Sequence, residues 1–251
     1  MRPIVGLRVV NPTQYADPVT YSSDYPILHV TVDVVVLTVH HGELSALVIR
    51  RGEPPFKGRW ALPGGFVEID EDLEHAARRE LHEETAVGPG AMRLEQLATY
   101  GAPGRDPRHR TISVAWLAVL PRITAPTAGT DAAHVAWKPV DRLLTRERLA
   151  FDHRLILRDG VERARAKLEY TNIATRFLDD EFTIAELREV YELVWGHRLD
   201  AGNFHRKVTG TDGFVEPTGG RRSAGRGRPA RLFRAGSEEA LHPPLTRRSL
   251  G

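Results

Sequence analysis

The chain has 251 residues, 41% apolar and 27% charged, with 35 basic against 33 acidic side chains and a net charge of +2; that is enough for one large or two small domains and excludes a disordered or fibrous protein. It has no cysteine, which excludes disulfides, thiolate metal sites and cysteine nucleophiles and makes a cytoplasmic address the expectation. No stretch approaches the about 20 apolar residues of a membrane-spanning helix, and Asn11-Pro12-Thr13-Gln14 breaks the N-terminal apolar residues before a signal peptide is complete.

Residues 1–24 show no period and read as an N-terminal arm. The β-branched run Val30 to Val39, the turn His40-His41-Gly42-Glu43 and Leu44 to Arg50 predict two strands joined tightly. Residues 53–65, rich in Pro and Gly, predict a loop. From Asp70 to Val87 the spacing is helical: Leu73, Ala76, Ala77 and Leu81 line one side, and acids fill the first turn where they favour the helix dipole. Strands are expected at Leu94–Tyr100 and Thr111–Leu120, joined by the loop 102–110, and around Val135–Val140. Together these make a mixed α/β domain over residues 25–150.

After Phe151 the pattern becomes helical, with Asp152 as an N-cap and a helix running toward Glu169. Thr183 and Glu186 form a capping box, Phe182 and Leu187 stand at staple positions, and Ile184, Leu187, Val190, Tyr191 and Val194 make a buried stripe that stops at Gly196. The turn His197-Arg198-Leu199-Asp200 leads to a short helix from Ala201 to about Val208, a helix-turn-helix in outline. Phe214-Val215-Glu216 and Ala230-Arg231-Leu232-Phe233 can pair as a wing. The expected second unit is therefore a linker helix and winged helix over 151–235, followed by a flexible tail, 236–251.

Charge divides along the chain: residues 1–150 sum to −1 and residues 201–251 to +6. Six arginines and no acid fall between Arg221 and Arg234, interleaved with glycine, which suits a ribbon lying against phosphates. Only four of the 35 basic residues are lysine, so arginine alone is no nucleic-acid signal here.

Within the first domain, Glu80, Glu83 and Glu84 stand at i, i+3 and i+4, so their carboxylates share one helical face. Acids at this spacing usually form only a wet face, but three like charges so close also suit a hard cation such as Mg²⁺. Arg79 can anchor the helix by pairing with Glu71. The full spacing, Gly65, five residues, Glu71, seven residues, then Arg79-Glu80-Leu81-His82-Glu83-Glu84-Thr85-Ala86-Val87, resembles the Nudix box, with Ala86 in place of the family glycine. That position often needs φ > 0, where Ala costs on the order of 1 kcal/mol more than Gly; the helix either ends there or runs on to Gly88.

The resemblance implies an α/β/α sandwich with a mixed sheet, Mg²⁺ or Mn²⁺ held by Glu80, Glu83 and Glu84, and catalytic roles for Glu83, Glu84 and Arg79. It implies nucleotide binding at Arg59, Gly64, Gly65, Arg79 and Arg105; the loop Pro103-Gly104-Arg105-Asp106-Pro107-Arg108 is similar to one in the ADP-ribose branch. A general base in many Nudix hydrolases is a loop glutamate outside the box. Between Gln96 and Arg146 this chain offers only Asp106, Asp131 and Asp141, with His134 before Trp137.

In the second half, Asn203, Arg206 and Lys207 share a polar face suited to reading bases in a major groove, while Arg221, Arg222, Arg226 and Arg228 suit the phosphate backbone. With Phe151-Asp152-His153, Phe182-Thr183, Asn203-Phe204-His205-Arg206-Lys207 and Gly227-Arg228-Pro229-Ala230, the chain is similar over about 25–235 to Nudix-related transcriptional regulators of the NrtR type. That resemblance implies a homodimeric repressor of NAD-related genes that binds a palindromic double-stranded DNA operator and senses ADP-ribose. The alternative is a Mg²⁺-dependent ADP-ribose or nucleotide-sugar pyrophosphatase, which leaves the last 100 residues unexplained.

Overall fold

The computed structural model describes residues 26–87, 92–121, 132–223 and 229–246. The expected arm over 1–24, Arg226, Arg228 and residues 247–251 of the expected tail lie outside the described residues.

Strand β1 (His29–His40) turns through His41 and Gly42, both at positive φ, into β2 (Glu43–Arg51). β3 (Trp60–Ala61) pairs with the far end of β2; β4 (Glu95–Tyr100) lies antiparallel to β5 (Thr111–Val119), which runs parallel to β1 from His29↔Thr111 to Leu37↔Val119. β6 (Ala132–Pro139) pairs with β2, giving a mixed sheet of order β3-β2-β1-β5-β4 with β6 beside β2.

β1 is buried on both faces, which is why it reads as a continuous apolar run rather than an alternation. Val32, Val34 and Val36 pack against Ala76, Ala77 and Leu81 of α1 (Leu73–Thr85). Val35 and Leu37 share the opposite cluster with Ile156, Leu157, Val161, Ala164 and Leu168 of α3 (His153–Tyr170). The first unit is thus an α/β/α sandwich. A short α2 (Val140–Thr145) that the strand reading of 135–140 did not foresee follows Pro139.

α1 begins later than expected because Asp72 caps it, its carboxylate accepting the His75 N–H at 2.8 Å. It ends at Ala86, whose φ of 54° is left-handed and whose N–H reaches the His82 carbonyl, so the helix does not run on to Gly88.

α3 is fastened to edge strand β4 from its middle toward its C-terminal end. The Tyr100 hydroxyl donates to Asp159 at 3.0 Å, Arg163 donates to Glu95 and to the Leu97 carbonyl, each at 3.1 Å, and Lys167 pairs with Glu95 at 2.5 Å. At Gly160 the helix touches the sheet so closely that a Cβ would stand 2.9 Å from the Val35 side chain.

A 3-10 helix (Asn172–Phe177) leads to α4 (Ile184–Trp195) and α5 (Ala201–Thr209), with the expected capping box at Thr183 and Glu186 and Gly196 at positive φ ending α4. Phe204, Val208 and Phe214 are fully buried beneath Tyr191, whose ring meets Phe204 edge-on. Glu192 fixes the turn between the helices by accepting the Leu199 N–H at 2.9 Å. β7 (Val215–Arg222) and β8 (Ala230–Ala235) form the wing, and Phe182 exchanges both backbone hydrogen bonds with Phe233.

Residues 236–246, read from sequence as loose, lie against the end of α3. The N–H groups of Leu241 and Leu245 reach the carbonyls of Tyr170 and Glu169 at 2.9 and 2.7 Å, groups the helix itself leaves without a partner, and both leucines are buried. Among the described residues no helix is long and apolar enough to cross a membrane.

Candidate ligand cleft and nucleic-acid interface

β1 and β2 pair only near their hairpin, from Leu37↔Ala46 to His40↔Glu43. The loop after β3 fills the gap: the N–H groups of Val32 and Val34 donate to the carbonyls of Gly65 and Pro63 at 2.9 and 2.8 Å. This pressure selects glycine. A Cβ on Gly64, at φ 150°, would overlap the Val32 carbonyl, and one on Gly65 would overlap the Glu80 carboxylate.

Between this loop, α1, the 102–110 loop and the start of α3 lies a cleft of about 380 Å³. Gly64, Gly65, Arg79 and Arg105, four of the five expected ligand residues, line it. Arg59 does not: it is exposed, its guanidinium 4.9 Å from the Phe56 ring.

The box carboxylates divide into two groups. Arg79 is bound bidentately by Glu71, at 3.0 and 2.5 Å, and also donates to Glu80 at 2.9 Å, to Glu83 at 3.2 Å and to the Phe66 carbonyl. Its guanidinium holds the Glu71 carboxyl down to about 2. Arg79, expected among the catalytic groups, is therefore committed to holding the box together. Glu83 stands half exposed on Arg79, whereas Glu80 and Glu84 line the cleft.

Burial raises the Glu80 carboxyl above its ordinary range against the pull of Arg79, and pushes Glu84 up to about 8 although Glu84 accepts the Gly64 N–H at 2.9 Å. Among the described residues no three acidic or histidine side chains converge on one metal position. The donor set nevertheless fits a hard divalent cation, since Glu80 and Glu84, both half-buried, face the cleft and Glu80 shares the single charge of Arg79 with Glu71 and Glu83.

Of the acids considered as a base, only Asp106 lines the cleft. Burial would raise its carboxyl, but Arg108, donating at 3.1 and 2.8 Å, outweighs burial and holds it below its usual range. Asp141 and His134 are exposed, and Asp131 lies outside the described residues.

Sequence reasoning missed the floor and far wall of the cleft. Asp33, buried on β1, accepts from Ser113 at 2.5 Å and from Arg105 at 3.2 Å, and stands 3.2 Å from His153 Nε2. His153 Nδ1 accepts the Leu62 N–H at 2.9 Å, so the ring is neutral and its Nε2–H points at Asp33. Phe151, at a φ of 47°, meets Phe56 edge-on, and the guanidiniums of Arg51 and Arg108 stand 4.8 and 5.9 Å from its ring. A lone Asp inside an otherwise apolar strand was the signal available for Asp33.

The second surface is built on α5. Asp200 caps it, accepting the Asn203 N–H at 2.7 Å, and burial of Phe204 and Val208 turns Arg206 outward with Asn203 and Lys207 half-buried beside it; Arg206 donates to Asn203 Oδ1 at 2.8 Å. On the wing Arg221 is exposed, whereas Arg222 donates to Glu186 at 2.8 Å and to the Glu181 carbonyl at 3.0 Å. The structure thus brings Asn203, Arg206 and Lys207 together and ties Arg222 to the base of α4.

The profile of the NUDIX domain matches residues 27–160, and that of the NrtR DNA-binding winged helix domain matches residues 174–235. The ADPR responsive transcriptional repressor NtrR of Acinetobacter baylyi is 36% identical over 214 residues, 84% of each chain. Shewanella oneidensis NrtR complexed with a 27mer DNA superposes with a TM-score of 0.73 at 33% identity, covering 86% of this chain and 99% of that one. The NUDIX domain of the same protein complexed with ADP ribose gives 0.52 at 36% identity, covering 56% of this chain and 90% of that one.

Proposed function

Because the chain belongs to the Nudix family, in the branch that joins a Nudix domain to an NrtR winged helix, we propose that it is an ADP-ribose-responsive transcriptional repressor. It works in the cytoplasm on genes of NAD or related metabolism, holds a palindromic operator as a homodimer, and releases it when ADP-ribose fills the cleft. Residues 25–150, completed by the packing of α3 on the sheet, form the sensing unit, and 151–235 hold that linker helix and the DNA-binding unit.

One observation carries this reading: α3 packs into both units. Its first residues wall the cleft, while near its other end the Tyr191 hydroxyl and Trp195 indole N–H of α4 donate to the carbonyls of Leu168 and Arg165. In the cleft, Arg51 and Arg108 supply charge for a diphosphate, and Phe66 and Phe151 supply flat faces. Glu80 and Glu84, with Glu83 once Arg79 lets it go, would hold Mg²⁺ or Mn²⁺, which when bound neutralises the diphosphate. On DNA, Asn203, Arg206 and Lys207 read bases, and Arg221, Arg222, Arg226 and Arg228 meet phosphates.

A second reading, hydrolysis of ADP-ribose in the same cleft, is favoured by the retained Glu80, Glu83 and Glu84. Against it, Asp106 is bound by Arg108 rather than free to take a proton from water. The test is fluorescence anisotropy on the DNA upstream of the chain's own gene, with and without ADP-ribose and Mg²⁺, with nucleotide products followed in parallel. Operator affinity should fall roughly 5–150-fold with ADP-ribose; equal affinities would sink the repressor reading, and steady release of AMP would install the hydrolase.

A further inference from the structure

Asp152 occupies the N-cap of α3, yet its carboxylate makes no capping hydrogen bond. It pairs instead with Arg105, a residue that lines the cleft and donates to both its oxygens, at 2.9 and 2.7 Å. Arg105 is buried, its side chain 5% exposed, and also reaches Asp33 at 3.2 Å. The two carboxylates differ in what else they have. Asp33 keeps Ser113 and His153 as partners, whereas among the described residues Arg105 is the only donor to the Asp152 carboxylate. The preceding residue, Phe151, is held left-handed, a conformation that costs a non-glycine residue on the order of 1 kcal/mol and persists only while its neighbours enforce it.

We infer that Arg105 is a latch between ligand and linker helix: a diphosphate entering the cleft takes the guanidinium from Asp152 and so removes one of the ties on the first turn of α3, leaving His153 on Leu62 and Asp33 as the other. The inference rests on the reading above and supplies the route from its ligand to its DNA. A guanidinium fork accepts phosphate oxygens in the same bidentate geometry as a carboxylate, so the exchange needs only a modest swing of Arg105. Arg51 and Arg108, both beside the Phe151 ring, add positive charge where the diphosphate would lie.

The helix then carries the movement. It meets the sheet tightly at Gly160, about 10 Å from His153 and about 12 Å from Leu168 at 1.5 Å per residue. A tilt about that point, with the surface pairs of Arg163 and Lys167 to Glu95 giving way, displaces the α4 end by about as much as the cleft end.

The test measures ADP-ribose affinity of the full chain with and without saturating operator, in Mg²⁺-free buffer, for the wild type, Asp152→Asn and Arg105→Lys. The wild type should show a coupling of roughly 5–150-fold. Asp152→Asn should bind ADP-ribose roughly tenfold more tightly, the worth of one charge-assisted hydrogen bond no longer broken, and bind operator more weakly, with coupling near one. A merely structural role would weaken both. Arg105→Lys, which keeps the charge but loses the fork, should likewise uncouple the sites. Wild-type coupling retained in either folded variant overturns the latch. No coupling in the wild type overturns the repressor reading and the latch with it. Loss of cooperative melting in both variants makes the pair a structural element and also overturns the latch.

Discussion

Gly160→Ala sets two ordinary effects against each other, and the structure decides between them. In a helix interior Ala is better than Gly by about 1 kcal/mol, and a buried methyl adds about 0.8 kcal/mol. Here, however, the new Cβ would meet Val35 at 2.9, 3.1 and 3.1 Å, against ordinary carbon contacts of about 3.5–4.0 Å. Val35 is fully buried on β1 and, being β-branched, has little rotamer freedom with which to withdraw. Relief needs α3 to lift by about 0.7 Å, while Asp159, Arg163 and Lys167 hold it to β4. Overpacking then takes the upper part of its usual range, about 3 kcal/mol, leaving a net loss of about 1 kcal/mol. Urea unfolding should show a lower midpoint at unchanged slope. Val35→Ala opens the space the new methyl needs, so the double variant should be more stable than the two single losses predict by about 1 kcal/mol or more. A raised midpoint for Gly160→Ala, or strict additivity, would refute the close-contact argument.

Ala86→Gly should stabilise the chain by up to about 1 kcal/mol, since the position is left-handed; an unchanged midpoint in thermal unfolding would remove that strain from the account. Burial holds His153 below its ordinary 6.5 against the opposing charges of Asp33 and Asp152, so the unfolded chain takes up its proton first and stability should fall as pH drops below about 6.5. His153→Gln, which can keep both hydrogen bonds, should flatten that slope in unfolding midpoints taken from pH 5 to 8; an unaltered slope assigns it to other groups. On DNA, Arg206→Ala should cost roughly 1–3 kcal/mol and relax one operator position, whereas Arg221→Ala should weaken all sequences alike and reduce the salt slope by about one. Unchanged specificity for Arg206→Ala takes that residue out of the recognition set.

What the sequence made legible was local. The box spacing placed Arg79 on Glu71, and Thr183 with Glu186 announced a cap that the structure forms reciprocally. Both depend on residues within eight positions of each other around the start of one helix, where spacing largely sets geometry. The cleft's far wall was hidden because its contacts join distant positions: Asp33 meets Ser113 and Arg105 across 80 and 72 residues, and Leu62 meets His153 across 91. Asp152 reads as an N-cap from its position, and it is one, yet Arg105 claims its side chain. Arg222 reads as a free cation in a basic ribbon, whereas Glu186 engages it across 36 residues. The docked segment 236–246 escaped for a related reason. Leu241 and Leu245 anchor it to carbonyls at the end of α3, Glu239 meets Arg93 and the Asn172 N–H, and Gly236 and Glu238 bond to Phe214 and Gly213; most of these are backbone contacts between distant positions, which carry no sequence signature.

The same distant contacts explain why a sensor and a DNA reader can be coupled here at all. The boundary at 150 read from the sequence follows a change of periodicity, but the apolar core does not break there. One cluster runs from Val35 and Leu37 of the sheet through Ile156, Val161 and Leu168 of α3 to Leu187, Tyr191 and Phe204, and takes in Leu241 and Leu245. Domains that share only an exposed linker move independently, and a ligand on one leaves the other unaffected. A helix buried in both cores cannot tilt at one end without repacking at the other, because close-packed interiors have discrete arrangements rather than a continuum. The residue that senses the ligand therefore need not touch the winged helix; it needs only to hold, or release, the first turn of α3.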